Sequence, residues 1–386
     1  MRKRIIALLP GDGIGPEVVG EAQRVVEAVG ERCDFGVEWV SFPFGAGYWK
    51  SHGETLPDSA LGELEKCEAL LLGAVGDPSV KPGILERGIL LRLRFHFDQY
   101  INLRPARSYA GAALPVRLPE GRRIDSVVVR ENTEDFYMGL GAVAKEGQVD
   151  APLVCERGLY SLSGRIEAGL SSGDAMALQI GALTRRGIER VTRYAFNLAR
   201  KRGEDTVVLA SKANAVPQLY GFLDEETKRV ARAEFPDMTL KIQNVDALCY
   251  NLARRPADAG VILCPNLFGD IVSDLQAALI GGLGLAAGGN IGDGLSMFEP
   301  VHGSAPDIAG TGKANPLGAI LCAALLLEHI GEADGARVLN RAIETYLEWA
   351  TTAEKPVEMG GEALCPQVGE RVIRALPGAA PSRPVL

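Results

Sequence analysis

Short apolar runs, each ending in a glycine or a polar residue, recur along this chain. They are residues 4–9 before PGDGIG, 69–72 before GAVGDP, 126–129 before Arg130, 206–210 before SKAN and 260–264 before PNLFGD. Helical segments such as 187–202 and 217–234 lie between them. Buried strands that alternate with helices are typical of an α/β fold with a mostly parallel sheet. The ligands of such a sheet lie beyond the carboxyl ends of its strands. Arg130, Lys212, Asn266 and Asp270 follow strands, so we expect them to share one cleft.

The glycine-rich turn at residues 11–15 (GDGIG) does not fit the usual dinucleotide fingerprint. A G-x-G-x-x-G pattern starting at Gly11 needs its last glycine where Pro16 stands. The turn therefore argues against a standard Rossmann fold. A simple tight turn is an equally good reading of it.

The bulk properties narrow the class of protein. With 386 residues, we expect two domains or one large discontinuous unit. A net charge of −8 disfavours nonspecific nucleic-acid binding. The seven cysteines are scattered, which favours a reducing compartment. The longest apolar stretch, residues 319–327, is too short to span a bilayer, so we expect a cytoplasmic protein without a membrane partner.

Three aspartates predict a metal site. Asp270 and Asp274 are four residues apart, so on a helix their carboxylates project from one face, and Asp246 precedes them in VDALCY. Like charges at this spacing favour a cation between them, and Mg²⁺ or Mn²⁺ prefers oxygen ligands. A solvated helix face is the alternative for an arbitrary pair, but the apolar and glycine neighbours of this one argue against it.

Three arginines and two proton-active side chains complete the candidate chemistry. Arg94, Arg104 and Arg130 lie in LRLRFHFDQYINLRPAR and VVVRENTEDFY, and guanidinium groups match carboxylates bidentately. Together they predict a substrate with at least two carboxylates, although each alone could form an internal salt bridge. Lys212 follows an apolar strand, where desolvation would favour proton exchange near neutrality. Tyr137 is a second proton-active candidate, with a packing role as the alternative.

Seven motifs, in order, resemble the β-decarboxylating dehydrogenases, a family that includes isopropylmalate, isocitrate, homoisocitrate and tartrate/D-malate dehydrogenases. The motifs are LLPGDGIGPEV, NLRPAR, VVRENTE, SKAN, NVDA, NLFGDIVSDL and EPVHGSAPDIAGTGKANP. The resemblance implies the family's two-domain fold. Residues 1–102 and 281–386 would form a discontinuous nucleotide-binding domain, and residues 103–280 a substrate and dimerisation domain. An arm at about 139–174 departs from the isopropylmalate pattern by its length.

The resemblance also implies oxidation of a 2-hydroxy acid followed by loss of CO₂. Asp246, Asp270 and Asp274 would hold Mg²⁺ or Mn²⁺, and the three arginines would hold the substrate carboxylates. By similarity, Lys212 takes part in removing the hydroxyl proton, and Tyr137 helps to protonate the enolate. Lys212 and Asp246 would enter the site from a second copy, which implies a homodimer.

Cofactor choice follows from HGSAPDIAG in the same resemblance. The position that reads the adenosine ribose falls on Asp307, followed by Ile308. A carboxylate binds a free 2′-hydroxyl and repels a 2′-phosphate, which favours NAD over NADP. The rest of the nucleotide pocket would comprise His302, Gly303, Ser304, Ala305 and Asn315.

The substrate depends on the segment RGILLRLR. Leu90 and Leu91 stand where isopropylmalate members carry leucines that face the isopropyl group, so the resemblance favours 3-isopropylmalate, oxidised to 2-oxoisocaproate in leucine biosynthesis. FDQYINLRP and RENTE resemble the tartrate/D-malate branch, and Arg92 could meet a further carboxylate, as in homoisocitrate. A noncatalytic subunit on the same fold is a third alternative, disfavoured because the metal carboxylates and Lys212 are all present.

Overall fold

The computed structural model describes residues 2–377 of the chain. Its strands are β1 (Arg2–Gly11), β2 (Phe35–Ser41), β3 (Ala69–Ala74), β4 (Ile101–Arg107), β5 (Asp125–Glu131), β6 (Asp135–Ala144), β7 (Gln148–Arg157), β8 (Tyr160–Gly169), β9 (Met176–Ala182), β10 (Thr206–Ser211), β11 (Thr239–Asn244), β12 (Val261–Cys264), β13 (Ala287–Ile291) and β14 (Ser296–Pro300).

The α-helices of the same range are α1 (Gly15–Cys33), α2 (Ala46–His52), α3 (Asp58–Leu64), α4 (Arg92–His96), α5 (Arg185–Lys201), α6 (Pro217–Glu234), α7 (Val245–Arg254), α8 (Asn266–Leu279), α9 (Leu317–His329), α10 (Ala333–Trp349) and α11 (Cys365–Arg374). A π-helical turn spans Glu86–Leu91, immediately before α4. Single 3₁₀ turns lie at Pro256–Asp258, Leu283–Leu285, Thr352–Glu354 and Val357–Met359.

The described chain divides into two compact units with different boundaries from the predicted domains. Unit 1 comprises the residues up to Leu93, residues 104–125 and the residues from Asp274 on, and unit 2 comprises residues 94–103 and 126–273. Residues 94–102, predicted in the first domain, belong to unit 2, and residues 104–125 and 274–280, predicted in the second, belong to unit 1. Residues 378–386 of the predicted nucleotide-binding domain lie outside the described part.

Unit 1 is built on buried, mostly parallel strands. β1 pairs in parallel with β2 and β3, β14 pairs in parallel with β3, and β13 runs antiparallel to β14. Every residue of β3 is buried, as expected of a strand covered on both faces. α1 begins directly after the GDGIG turn, with a proline in its first turn, and packs against α9, α10 and α11.

Unit 2 contains four parallel strands in the order β5, β12, β10, β11. The residues that follow these strands therefore lie at one edge of the sheet. Residues predicted as an arm lie within two antiparallel pairs, β6 with β9 and β7 with β8. The predicted α/β fold with a mostly parallel sheet is confirmed.

Candidate active site

Arg130 is the centre of a polar cluster in unit 2. It is the penultimate residue of β5 and is only 1% exposed. Its Nε donates to Asn266 Oδ1 (2.9 Å), and its Nη1 donates to Asp270 Oδ1. A buried cation is tolerated only when it is paired and hydrogen-bonded, and these two residues of α8 supply the partners. Arg130 is therefore held by the helix that carries a predicted metal ligand.

Gly269 allows the Arg130 side chain to lie against α8. A Cβ built at Gly269 would stand 2.4 Å from Arg130 Cγ and 2.6 Å from Arg130 Cβ. Both atoms are close to the backbone of β5 and have little freedom to move. Any larger residue at position 269 would therefore displace the guanidinium from Asp270.

Tyr137, at the start of β6, joins the same cluster. Its hydroxyl donates to Asp270 Oδ2 (2.5 Å), and the Arg130 guanidinium lies 5.0 Å from its ring centroid. Burial raises the pKa of Tyr137, and the hydrogen bond to Asp270 raises it further. Tyr137 therefore carries its proton at neutral pH, as a proton donor requires.

Two buried carboxylates, those of Glu131 and Glu134, lie between Arg130 and Tyr137 in the sequence. Glu131 accepts hydrogen bonds from Thr133 N and Oγ1 and from Glu134 N, all 2.8 Å long. Glu134 accepts from Thr184 N and Oγ1 at 2.8 and 2.7 Å. Burial, and then the neighbouring Glu134 carboxylate, raise the pKa of Glu131 to about 7. The RENTE motif thus folds the β5–β6 connection onto itself.

Lys212 and Asp246 form a separate pair in unit 2. Lys212 directly follows β10, and Asp246 lies in the first turn of α7, directly after the adjacent strand β11. Lys212 Nζ lies 2.7 Å from Asp246 Oδ1, and this hydrogen bond lowers the pKa of Asp246. The Asp246 side chain is 68% exposed, so the pair faces outward.

The three predicted metal ligands do not converge within one copy of the chain. No group of three or more His, Cys, Asp or Glu side chains in the described part could hold a metal ion. The sheet order explains this: Asp246 follows β11 and Asp270 follows β12, with β10 between them. Two strand spacings separate these positions by about 10 Å. Asp274, one turn beyond Asp270, lies 3.8 Å from Arg104 in unit 1.

The other two predicted substrate arginines are also mostly buried. Arg94, in α4, belongs to unit 2 and is 5% exposed. Arg104, in β4, belongs to unit 1, and its Nη1 lies 3.8 Å from the Asp274 carboxylate. Asp98 is paired with Arg190 at 2.6 Å.

Leu90 and Leu91 lie half-buried in the π-helical turn of unit 1. Arg92, which the sequence offered as a further cation for the substrate, donates to the Asp58 carboxylate and to Leu56 O. Arg92 and Asp58 are 34 positions apart, so no local sequence pattern predicts their pairing. π-Helical turns are frequent at functional sites, which suits the predicted specificity segment.

The predicted nucleotide residues of unit 1 form a loop fixed against the GDGIG turn. Ser304 O accepts from Ile14 N (2.9 Å), and a Cβ at Gly13, whose φ is +58°, would stand 1.9 Å from that same oxygen. Gly13 is therefore required by a close approach of two backbones. Ala305 adopts a φ of +38°, a strained conformation for a residue with a side chain.

Buried polar groups border this loop. His302 Nδ1 contacts Gly303 O (3.0 Å), while its Nε2 is buried and has no hydrogen-bond partner. Burial lowers the pKa of His302, so the ring is neutral at pH 7. Asn315 Nδ2 donates to Glu358 Oε2 (3.0 Å), and Asp307 is exposed.

Sequence reasoning missed several residues that shape these groups. The sequence predicted that Asn266 shares a cleft with Arg130 but not the hydrogen bond between them, and it indicated Gly269 only as a neighbour of the aspartates. Asp58 and Glu358 were not considered, because their partners lie 34 and 43 residues away. The glycine directly before Asp270 was the one local signal of a close approach.

A family model described as isocitrate/isopropylmalate dehydrogenase matches residues 5–372. The chain belongs to this family. It is similar to the 3-isopropylmalate dehydrogenases of Thermobifida fusca and Beutenbergia cavernae, each 42% identical to it over 370 and 366 residues. These alignments cover 95% and 94% of this chain and 96% and 98% of the relatives.

Solved structures agree with the family assignment. The crystal structure of isocitrate dehydrogenase from Methylococcus capsulatus matches with a TM-score of 0.82 and 34% identity, over 97% of this chain and 99% of that one. An apo β-decarboxylating dehydrogenase from Thermococcus kodakarensis matches with a TM-score of 0.73 and 34% identity, over 96% of both chains.

Membership of the isocitrate/isopropylmalate dehydrogenase family makes this chain an oxidoreductase that decarboxylates its substrate, as the sequence predicted. Within residues 2–377, every helix is too short or too polar to cross a membrane.

Proposed function

We propose that the protein oxidises 3-isopropylmalate to 2-oxoisocaproate and CO₂, using NAD and a divalent metal ion, as a step of leucine biosynthesis. The observation that carries the substrate assignment is the segment 86–92. It presents half-buried Leu90 and Leu91, and Arg92, which follows them, is paired with Asp58. An apolar wall suits a branched alkyl group better than a third carboxylate.

Two substrate carboxylates would be held by Arg94, Arg104 and Arg130. These three residues are at most 8% exposed, and buried guanidinium groups bind anions strongly because little water competes for them. Leu90 and Leu91 would face the isopropyl group. Asp246, from a second copy, would complete the substrate site.

Proton transfer would be shared between two groups. Lys212, paired with Asp246, would take part in removing the hydroxyl proton. Tyr137, whose raised pKa keeps it protonated, would return a proton to the carbon that loses CO₂. The two groups act at opposite stages of the reaction, so one can be tested without the other.

The donor set fits a hard divalent cation. The side chains of Asp270 and Asp274, on one helix, are 40% and 58% exposed, so their carboxylates are accessible to a metal ion. Mg²⁺ or Mn²⁺ held by these two residues and Asp246 would polarise the hydroxyl oxygen of the substrate. Because Asp246 does not join the other two within one chain, we propose a homodimer in which the third ligand comes from the partner.

The loop at 301–315 fits a nucleotide. His302 Nε2 is buried without a hydrogen-bond partner, so a polar group of a bound ligand could pair with it. The hydrogen bond from Ile14 N to Ser304 O fixes the backbone around Gly303, Ser304 and Ala305. Exposed Asp307 would accept the ribose 2′-hydroxyl beside Ile308, and Asn315 would border the same pocket. NAD supplies the hydride acceptor when bound.

The test is NADH formation in the presence of Mn²⁺ with 3-isopropylmalate, D-malate, tartrate, homoisocitrate and isocitrate, ranked by kcat/KM. We expect 3-isopropylmalate to rank first, and another first-ranked acid would refute the substrate assignment. Asp270→Asn should abolish turnover and weaken Mn²⁺ binding measured by calorimetry. Undiminished turnover without added metal would refute the metal assignment.

The lysine is tested by a variant with a second readout. Lys212→Met should suppress turnover but leave NADH binding, followed by its fluorescence, largely intact. A near-normal rate would remove Lys212 from the chemistry. Mixing inactive Lys212→Met with inactive Tyr137→Phe tests the shared site, because subunit exchange should restore part of the activity only if two copies build one site.

A further inference from the structure

The turn between β7 and β8 packs into the body of unit 2. A Cβ at Gly158, in this turn, would lie 3.0 Å from Asp98 Cγ. Tyr160 begins β8 beside Glu134, and burial together with that carboxylate raises the pKa of Tyr160. At the far end of the same hairpin, by contrast, Gln148, Asp150, Glu167 and Gly169 are exposed. The turn is therefore the anchored end of the arm.

Arg157 makes the principal contacts of this anchored end. Its guanidinium carbon lies 3.7 Å from the ring centroid of Phe95. Its Nε donates to Thr133 O at 2.7 Å, and its Nη2 donates to Met138 O at 3.4 Å. One side chain of the arm thus joins α4, the connection after β5 and the strand β6.

Each contact of Arg157 is close in the chain to a predicted substrate or proton-transfer residue. Phe95 directly follows Arg94, and Met138 directly follows Tyr137. Thr133 lies three residues after the buried Arg130, and its side chain donates to Glu131. A shift of Arg157 would therefore move Arg94, Arg130 and Tyr137, which are proposed to act on the same substrate.

A second cation supports the same segment from the other side. Arg190, in α5, pairs with Asp98 at 2.6 and 3.0 Å, donates to Thr133 Oγ1 at 3.1 Å and lies over the ring of Tyr100 at 4.1 Å. Arg190 keeps residues 98–100 and 133 in place without the arm. The contribution specific to the arm is thus the hold of Arg157 on Phe95 and Met138.

We infer that Arg157 is a positioning residue, through which the arm sets the placement of Arg94 and Tyr137 for the hydroxy acid. The inference rests on the proposed function, which assigns substrate roles to those residues. The long arm would thus support the active-site residues of its own chain, in addition to any contact that it makes with a second copy. A misplacement of about 1 Å at a reacting group is enough to slow an enzyme by orders of magnitude.

The test compares Arg157→Gln, Arg157→Lys and, as matched control, Arg165→Gln. Arg165 lies in the same hairpin, is 65% exposed and pairs across it with Asp150. We expect Arg157→Gln to raise the KM for the hydroxy acid at least tenfold and to change the KM for NAD less than twofold. Arg157→Lys should recover part of the loss, and Arg165→Gln should behave as the wild type.

An unchanged KM for the hydroxy acid in Arg157→Gln, or equal rises in both KM values that follow a fall in Tm, would overturn the inference. If that variant does not fold, Phe95→Leu replaces it, because removing the ring should reproduce the selective rise in KM. The measurements use whichever acid ranks first in the substrate panel. If the wild type prefers another acid, the proposed substrate is refuted, but the KM values measured with that acid still test the role of Arg157.

Discussion

Replacing Gly269 with alanine is expected to disable the active site while the fold survives. The added methyl group would stand 2.4 Å from Arg130 Cγ and 2.6 Å from Arg130 Cβ, well inside normal contact. Since these stem atoms are anchored to β5, the guanidinium must swing away from Asp270. The helix itself gains from the change, because alanine is about 1 kcal/mol better than glycine inside a helix.

The gain in the helix offsets only part of the cost to stability. Overpacking of this kind costs about 1–3 kcal/mol, and moving the buried guanidinium away from Asp270 removes one of its partners, so Gly269→Ala should be less stable than the wild type. Catalysis is expected to suffer as well, because a hydrogen bond to a charged group contributes about 1.5–3 kcal/mol. At about 1.4 kcal/mol per factor of ten, kcat/KM should fall roughly 10- to 100-fold.

Gly20→Ala is the matched control. Gly20 lies inside α1, and a Cβ built there meets nothing within 4 Å. This variant should be slightly more stable than the wild type, by about 0.5–1 kcal/mol, with unchanged kinetics. Thermal unfolding and steady-state assays on both variants measure the two predictions. A Gly269→Ala enzyme with kcat/KM within twofold of the wild type would show that Arg130 does not depend on this close approach.

Three further predictions concern cofactor, pH and specificity. Converting Asp307 and Ile308 to Lys and Tyr should shift the ratio of kcat/KM values from NAD towards NADP, and an unchanged ratio would place cofactor choice elsewhere. Because burial raises the pKa of Glu131 from 4.5 to about 7, its contribution to stability is full below pH 4.5 and is lost as the pH rises through 7. Denaturant unfolding should show a loss on the order of 3 kcal/mol across this window, and Glu131→Gln should flatten that slope. Asp58→Asn should release Arg92 and lower the preference for 3-isopropylmalate over D-malate severalfold in the substrate panel, whereas a constant preference would mean that this ion pair does not shape the pocket.

The sequence predicted five of the strands, β1, β3, β5, β10 and β12, and the chemical character of the residues that follow them. Exposing apolar runs such as 126–129 and 260–264 to water is unfavourable, so their burial could be predicted. An arginine or aspartate placed directly after such a run had to lie at the strand ends. The positions of Arg130, Lys212 and Asp270 followed from that logic alone.

The partners of those residues could not be read from the sequence. Whether Arg130 would pair with Glu131 or with Asp270 depends on which helix crosses the end of β5, and that is a property of the sheet order. The same order separates Asp246 from Asp270 by an intervening strand, so three suitable metal ligands do not make one site within a single copy. The domain boundaries also shifted, because residues 104–125 pack with unit 1 although their chain neighbours belong to unit 2.

The discontinuous construction of unit 1 has a consequence for synthesis on the ribosome. β3 lies between β1 and β14, so β3, which ends at Ala74, cannot complete its pairing until β14, which begins at Ser296, has been synthesised. The parallel strands of unit 2 are all available once Cys264 has emerged. Nascent chains should therefore bury the strands of unit 2 first, while apolar β1 and β3 remain dependent on chaperones until translation is nearly finished.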